Sequence, residues 1–410
     1  MKEHPDYLKS FPKAEYEDHI QKLQKEMEIA GIDMLLLSSP ENIFYSTAYR
    51  SWYTSSLFRP VLVFVPRIGE PAISLRILEK STVENVSWCT RIYASGTKSR
   101  NLGPLNSEDP VDAMKKFMGE LDLPVKRVGL EAGDGQHFFW SLNLLKYLVE
   151  TFSGIKFVDG TMAINRARMI KSGWEIERIR TAGYITERAI IDTFFQIRPG
   201  ITTEKDIARG IASRMAEGGV DKISYLTINS GKDKYHTFNS YATDRITDHG
   251  DIVLVDISGH IDGYASDLTR VIYLGCSPPE QYIEMAETAR SCVHAGFDIL
   301  KPGARVSDIN KAIEGYLRQS RCGSQVVHSS GHSTGLNVTE YPNISDDCDE
   351  ILKPGMVFAL ENGVYPYDSE KGAGTIRISF RMEDEALVTE NGAEWLSGPG
   401  KALYTLGDFC

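Results

Sequence analysis

Two aspartates stand in the stretch GDIVLVDISGHIDGYASDLTR (250–270) among residues that otherwise have the make-up of a protein core. Ile252 to Asp256 is apolar up to its acid, Asp262-Gly263 is a turn pair, and Tyr264 to Val271 resumes an extended pattern. That pattern predicts a hairpin with one carboxylate, Asp256 or Asp267, on each arm. A lone buried charge costs several kcal/mol, so such acids are paired or bound to metal. Two acids delivered to one place by adjacent strands suit a shared cation; taken alone, they also suit strand-end aspartates that cap turns.

The pattern then repeats. Gly355-Met-Val-Phe-Ala-Leu-Glu361 follows the plan of Gly250-Asp-Ile-Val-Leu-Val-Asp256, with an acid six residues after a glycine in both. A second acid follows each: Asp267 after Asp256, and Glu383, in FRMEDEALV, after Glu361. The helical stretches IRPGITTEKDIARGIASRMAEGG (197–219) and LKPGARVSDINKAIEGYLRQSRCG (300–323) echo each other too. Each has Pro-Gly, a polar cap, an amphipathic helix and a closing glycine. Two related halves folded face to face would gather all four carboxylates around one pseudo-twofold axis. Four acids there need about four positive charges, which two divalent cations supply. The Gly-rich loop HSSGHSTGLNVTEYP (328–342) offers an imidazole, His332, flanked by Gly331 and Gly335 so that it can approach closely. Oxygen ligands with one imidazole suit manganese, iron, cobalt or zinc.

The elements that must hold these residues read as two α/β domains, 1–162 and 163–410, the usual expectation for 410 residues. Residues 14–30 have helical spacing, with Ile20, Leu23, Met27 and Ile29 on or near one side and Gly31 as the stop. MLLLS (34–38) and PVLVFVP (60–66) are continuous apolar strands of the kind a sheet covered on both faces requires. Between them, 42–59 reads as an aromatic loop, or as a pocket wall carrying Trp52, Tyr53 and an arginine, Arg50 or Arg59. RVGLEA (127–132), a helix near 137–152 and KFVDG (156–160) complete the first domain, which has no phosphate loop. The second opens with a long amphipathic segment, read as two helices, or one broken near Ser172-Gly173.

A net charge of −11 with no basic stripe argues against nucleic acid and anionic membranes as partners. No apolar run approaches a membrane span, and the N-terminus MKEHPDYLKSFPK lacks the apolar stretch of a signal peptide. The six cysteines are scattered without a CxxC pair, and Cys410 reads as a tail thiol with no catalytic role. A cytoplasmic protein with reduced thiols is the expectation.

On these motifs the chain resembles the creatinase/aminopeptidase P/prolidase family, the "pita-bread" metallohydrolases. VDISGHIDGYASDLTR is similar to the family's first two ligand strands, GHSTGLNV to its histidine loop, and LKPGMVFALENGVY and FRMEDEALVTENGAEWLS to its two glutamate segments. The resemblance covers roughly 165–400 and, more loosely, residues 1–160. It implies an N-terminal α/β domain followed by a pita-bread catalytic domain with an internal pseudo-twofold repeat.

The resemblance also implies a dinuclear site, with manganese first among the candidate metals. Asp256 would chelate one ion, Asp267 would bridge, His332 and Glu361 would hold the second, and Glu383 would bridge from below. His236 resembles the family histidine upstream of the first ligand, His328 the histidine that binds a substrate carbonyl or carboxylate, and Arg381 an arginine that orders the last ligand strand. A metal-bridged hydroxide would attack a substrate amide. Glu361 or Glu383 would accept the water proton, and His236 or His328 would steady the oxyanion or protonate the leaving amine. The implied function is that of an Xaa-Pro aminopeptidase or dipeptidase acting on a short peptide. The alternative is a family member acting on a small nitrogen or sulfonium solute: a creatinase-like C–N hydrolase, a cyclic-amidine hydrolase or a sulfoniopropionate-type lyase. The intact ligand set argues against a silent binding module. Two departures bear on the choice. Thr339 replaces a second histidine usual in the peptidases, and Asn362 replaces the usual proline after the first glutamate. Weak Xaa-Pro cleavage is the expectation from Thr339, a candidate substrate contact. The family further implies a homodimer whose N-terminal domain closes the cleft, with Trp52 and Tyr53 as the wall.

Overall fold

The computed structural model describes residues 11–56, 59–95, 108–136, 139, 141–232, 235, 237, 239–322, 326–366 and 377–409. Helix α1 (Lys13–Ala30) buries Ile20, Leu23 and Met27, and Gly31 closes it at φ 64°. Ile29 is not part of that stripe and stays 66% exposed. Two residues beyond Met27, it is turned roughly 200° around the helix. Strands β1 (Met34–Leu37), β2 (Leu62–Pro66), β3 (Ala72–Arg76), β4 (Arg91–Ser95), β5 (Arg127–Leu130) and β6 (Lys156–Asp159) form a mixed sheet in the order β4-β3-β2-β1-β5-β6. Every residue of β1 and β2 is buried, as their unbroken apolar sequences require.

The aromatic stretch read as a loop begins instead as helix α2 (Pro40–Thr47). Ser39 caps it by accepting from the Asn42 amide, and Pro40 occupies the first turn, where its missing N–H is not needed. The Glu131 carboxylate adds a second anchor, accepting from the amides and hydroxyls of Ser38 and Ser39. Helices α3 (Lys80–Val86), α4 (Glu108–Gly119), α5 (Leu142–Thr151) and α6 (Thr161–Met169) follow. The chain divides into two compact units after Arg168.

In the second unit, α7 (Gly173–Phe194) starts at Ser172, whose hydroxyl and Glu175 form a reciprocal capping box. Helix α8 (Glu204–Glu217) starts with the same device at Thr203 and Asp206. They lead into β7 (Lys222–Gly231), β8 (Ile252–Ile261), β9 (Tyr264–Ala265) and β10 (Leu268–Tyr273). Asp262 and Gly263 make the hairpin turn, both at positive φ. The second half repeats the plan with α9 (Glu280–Phe297), α10 (Val306–Gln319), β11 (Gly331–Ser333), β12 (Glu340–Asn343), β13 (Val357–Val364) and β14 (Phe380–Thr389). The sheet runs β12-β11-β13-β14-β10-β8-β7. Outward from the β14/β10 seam, β14, β13 and β11 mirror β10, β8 and β7.

Alternation along the strands decides which face the acids take. Val253, Val255 and Ile257 pack with Ile190, Phe194, Ile207 and Ile211 of α7 and α8. Phe358, Leu360 and Val364 pack with Val293, Ile309 and Ile313 of α9 and α10. With side chains on alternate faces, Asp256 and Glu361 must both point away from the helices.

Candidate metal centre

Strand register lines up the ligand candidates. Asp256 pairs with Thr269, Thr269 with Glu383, and Glu383 with Glu361, one residue from each of four adjacent strands. Asp267 lies two residues before Thr269 and shares its face. The Thr269 hydroxyl donates to Glu383 Oε2 at 2.7 Å. Ligand atoms of Asp267, His332 and Glu383 all lie within 4.8 Å of one another. Asp256 and Glu361 stand outside that trio and meet on Arg381, whose Nη2 contacts Asp256 while Nη1 lies 3.9 Å from Glu361 Oε2.

His332 reaches the trio because Gly331, at φ 124°, passes hard against β13. A Cβ there would sit 2.0 Å from the Ala359 carbonyl oxygen. The ring Nδ1 donates to the Ser333 carbonyl at 3.1 Å, so Nε2, 3.6 Å from Asp267 Oδ2, is the nitrogen left with a lone pair.

The acids are crowded and nearly dry. Asp267 and Glu383 are each 2% exposed and Asp256 8%. Burial pushes the Asp267 carboxyl well above the usual carboxylate range, and the Asp256 charge adds to it. Burial does the same to Glu383, with Asp267, Glu361 and Asp256 contributing. Asp256 is raised as well, burial outweighing the Arg381 guanidinium beside it. For Arg381 burial opposes the charge, but Asp256, Tyr365 and the glutamates hold its pKa well up. Four carboxylates thus face one guanidinium. Oxygen donors plus one imidazole, already converged and short of positive charge, fit divalent cations.

Tyr225 and Tyr365 also belong to this site, and the sequence reading missed both. Tyr225, on β7, donates its hydroxyl to Asp256 Oδ1 at 2.9 Å and also contacts Asp267. Burial and those two acids hold its phenol well above its ordinary pKa. The alternation in KISYLTINSG (222–231) was the available signal for this strand. Tyr365, just past β13, donates to His328 Nε2 at 2.5 Å. His328 Nδ1 in turn donates to the Ser329 carbonyl at 2.6 Å and lies 3.9 Å from Glu361 Oε2, so His328 stands at the glutamate side of the site.

The remaining candidates are scattered. His236 lies outside the described residues. Thr339 is exposed in the loop after His332. Asn362 is placed by alternation on the helix side of β13, between Leu360 and Val364 and in register with Met382, all three core residues. It therefore faces away from Glu361. In the first unit, Trp52 and Tyr53 lie on a short 3-10 turn (Trp52–Ser55). Trp52 is 74% exposed and Tyr53 3%, with the Arg59 guanidinium 5.9 and 5.3 Å from their ring centres. Arg50 lies over Phe44. The five described cysteines are all free, and Cys410 lies outside the described residues.

Residues 177–390 match the profile of metallopeptidase family M24, and residues 19–170 that of the creatinase/prolidase N-terminal domain. A putative dipeptidase, YkvY, from Bacillus subtilis is 26% identical over 95% of this chain and 100% of its own length. The Xaa-Pro dipeptidase of Pyrococcus furiosus is 26% identical over 94% of this chain and 99% of its own. The crystal structure of dipeptidase PepE from Mycobacterium ulcerans superposes with a TM-score of 0.79 at 25% identity, covering 97% of this chain and 99% of that one. The M24 match spans more than half of the 410 residues and takes in every converged acid and His332. The chain belongs to metallopeptidase family M24, a metallohydrolase with a pita-bread catalytic domain behind a creatinase/prolidase N-terminal domain.

Proposed function

We propose that the chain is a dinuclear, manganese-loaded dipeptidase of the Xaa-Pro type. The observation that carries this is the convergence of Asp267, His332 and Glu383 ligand atoms within 4.8 Å, in register with Asp256 and Glu361. Asp256, Asp267, His332, Glu361 and Glu383 would hold the ions. When bound, two divalent ions supply Lewis acidity and a water made nucleophilic at neutral pH. The chain's own residues do the rest. Arg381 holds Asp256 and Glu361 in place, Glu361 or Glu383 would accept the water proton, and the Tyr365 hydroxyl, now donating to His328 Nε2, would turn to the substrate carbonyl or pass its proton through His328 to the leaving amine. The names of the relatives, a dipeptidase and an Xaa-Pro dipeptidase, favour this reading over the small-solute alternative.

Thr339 sets the rate. A threonine hydroxyl is uncharged and carries no proton shuttle near neutral pH, so Thr339→His raises Xaa-Pro turnover by about ten-fold or more. The experiment is metal analysis of the purified protein followed by a panel of Xaa-Pro dipeptides, longer Xaa-Pro peptides and small nitrogen or sulfonium solutes. Two ions per chain with selective dipeptide cleavage is the expected result. Solute turnover with no peptide cleavage would overturn it. The working unit is taken to be a cytoplasmic homodimer, with Trp52 and Tyr53 serving the substrate cleft; light scattering tests the assembly. No helix among the described residues is long and apolar enough to cross a membrane.

A further inference from the structure

The loop that follows His332 is closed by a buried cation from another part of the second unit. Lys171 lies in the link between α6 and α7, and its side chain is 1% exposed. Its ammonium donates to Ser333 Oγ at 3.0 Å and to Glu340 Oε2 at 3.2 Å. Ser333 follows His332, and Glu340 follows Thr339. The two partners are also register neighbours across β11 and β12, so Lys171 pins both ends of the loop 334–339.

Both ends of Lys171 are themselves tethered. Its amide donates to the Gly355 carbonyl at 2.9 Å, at the turn that begins the Glu361 segment. Gly355 is at φ 88°, and a Cβ there would lie 2.9 Å from the Lys171 carbonyl oxygen. The Glu340 carboxylate accepts from the Asn337 amide at 3.0 Å and fills the space that a side chain at Gly335 would take, 2.6 Å from the ideal Cβ. The Gly335 carbonyl accepts from Ala265, two residues before Asp267. One residue, through its backbone amide and its ammonium, therefore spans the carriers of Glu361 and His332, and the loop it closes is tied to the carrier of Asp267.

We propose that Lys171 is a positioning residue of the metal centre, setting how far the His332 imidazole reaches toward Asp267 and Glu383. This rests on the dinuclear reading given above. A buried lysine paired with a buried glutamate would hold the fold together in any case, so the test must separate holding from aiming. Lys171→Met leaves Glu340 buried without its cation and lowers thermal stability. Lys171→Met combined with Glu340→Gln removes both charges and returns most of that stability. Ser333→Ala removes the neutral contact alone and leaves the ion pair.

Each full-length variant is stripped with chelator and titrated with Mn²⁺ by calorimetry, and the metal-free melting temperature is measured alongside. Altering groups that orient a ligand weakens metal affinity by roughly 10- to 100-fold. We expect a loss of that size at the weaker site in the double variant, despite its recovered stability, and a smaller loss in Ser333→Ala. Wild-type affinity in both variants would overturn the assignment. If the unaltered chain binds fewer than two ions, the functional reading falls and this inference falls with it. If it binds two and the variants bind as tightly, only this inference falls.

Discussion

The two halves of the second unit share a frame and differ in what they do with it. Gly250 and Gly355 open equivalent strands at nearly the same φ, 86° and 88°, and Asp256 and Glu361 sit at equivalent positions. In the first half the partner of the acid strand is β7, ten residues long, and its contribution to the site is the Tyr225 hydroxyl. In the second half the corresponding strand, β11, is three residues long with His332 at its centre, and the chain leaves the sheet directly after it for the loop 334–339. The first half closes its acids with a ladder and a phenol. The second half gives up ladder length and gains an imidazole, on a strand so short that a buried ion pair closes the loop after it. The repeat supplies the scaffold, and the chemistry unique to this site enters where the repeat is cut short.

The sharpest way to test this comparison is to remove one acid at a time. Glu383 lies at the seam and touches both halves, so Glu383→Ala should release both ions and lower peptidase turnover by on the order of 10³-fold or more. Asp256→Ala and Glu361→Ala should each release one ion, from opposite halves. Elemental analysis after gel filtration reads all three, and loss of a single ion from Glu383→Ala would break the picture of a shared seam. Next in size is Tyr225→Phe. It removes the hydroxyl serving Asp256 and Asp267, and should weaken metal binding by roughly 10- to 100-fold while leaving His332 in place; calorimetric titration checks it.

A third test uses pH. Asp267 and Glu383 have folded-state values well above their unfolded ones, so the metal-free fold binds more protons than the unfolded chain. The contribution of these two groups to stability is therefore full below about pH 4, the unfolded carboxylate range, and is lost as pH rises through the raised values. Melting temperature from pH 4 to 8 should fall by several degrees in chelator and not when Mn²⁺ is bound. A metal-free melting temperature that rises over that window would contradict the buried-acid account. The smallest effect is expected at Asn362. It faces the α9 and α10 core with an unpartnered Oδ1, so Asn362→Leu should change stability by no more than about 1 kcal/mol. Turnover should not change, and a shift in KM would place Asn362 on the substrate side.

How legible the molecule was in its sequence depended on how local each cause was. The turn at Asp262-Gly263, the capped starts of α7 and α8, and the glycine-to-acid spacing are set by residues a few positions apart, and these could be read directly. Helix α2 was taken for a loop although Ser39-Pro40 is a helix start, because the aromatic content of 42–59 drew attention from its cap. Ile29 looked like part of a stripe until the helical angle from Met27 was considered. Tyr225, Tyr365 and Lys171 were invisible for another reason. Each acts on residues 31, 37 and 162 positions away, and only strand order and loop closure bring them there. The face of Asn362 follows from its neighbour: Glu361 faces the acids, and adjacent strand residues face opposite ways.

The hydroxyl of Tyr225 carries a single hydrogen between two acceptors. Whichever of Asp256 and Asp267 receives it, the other meets an oxygen lone pair across a short gap. The two acids of the hairpin therefore have unequal surroundings, Asp256 also meeting the Arg381 guanidinium. Burial raises both carboxyls, so an arriving ion competes with protons for them. Filling the centre is therefore an acid-releasing event, and the buffer in which the ions are offered takes part in the equilibrium as surely as the ions do.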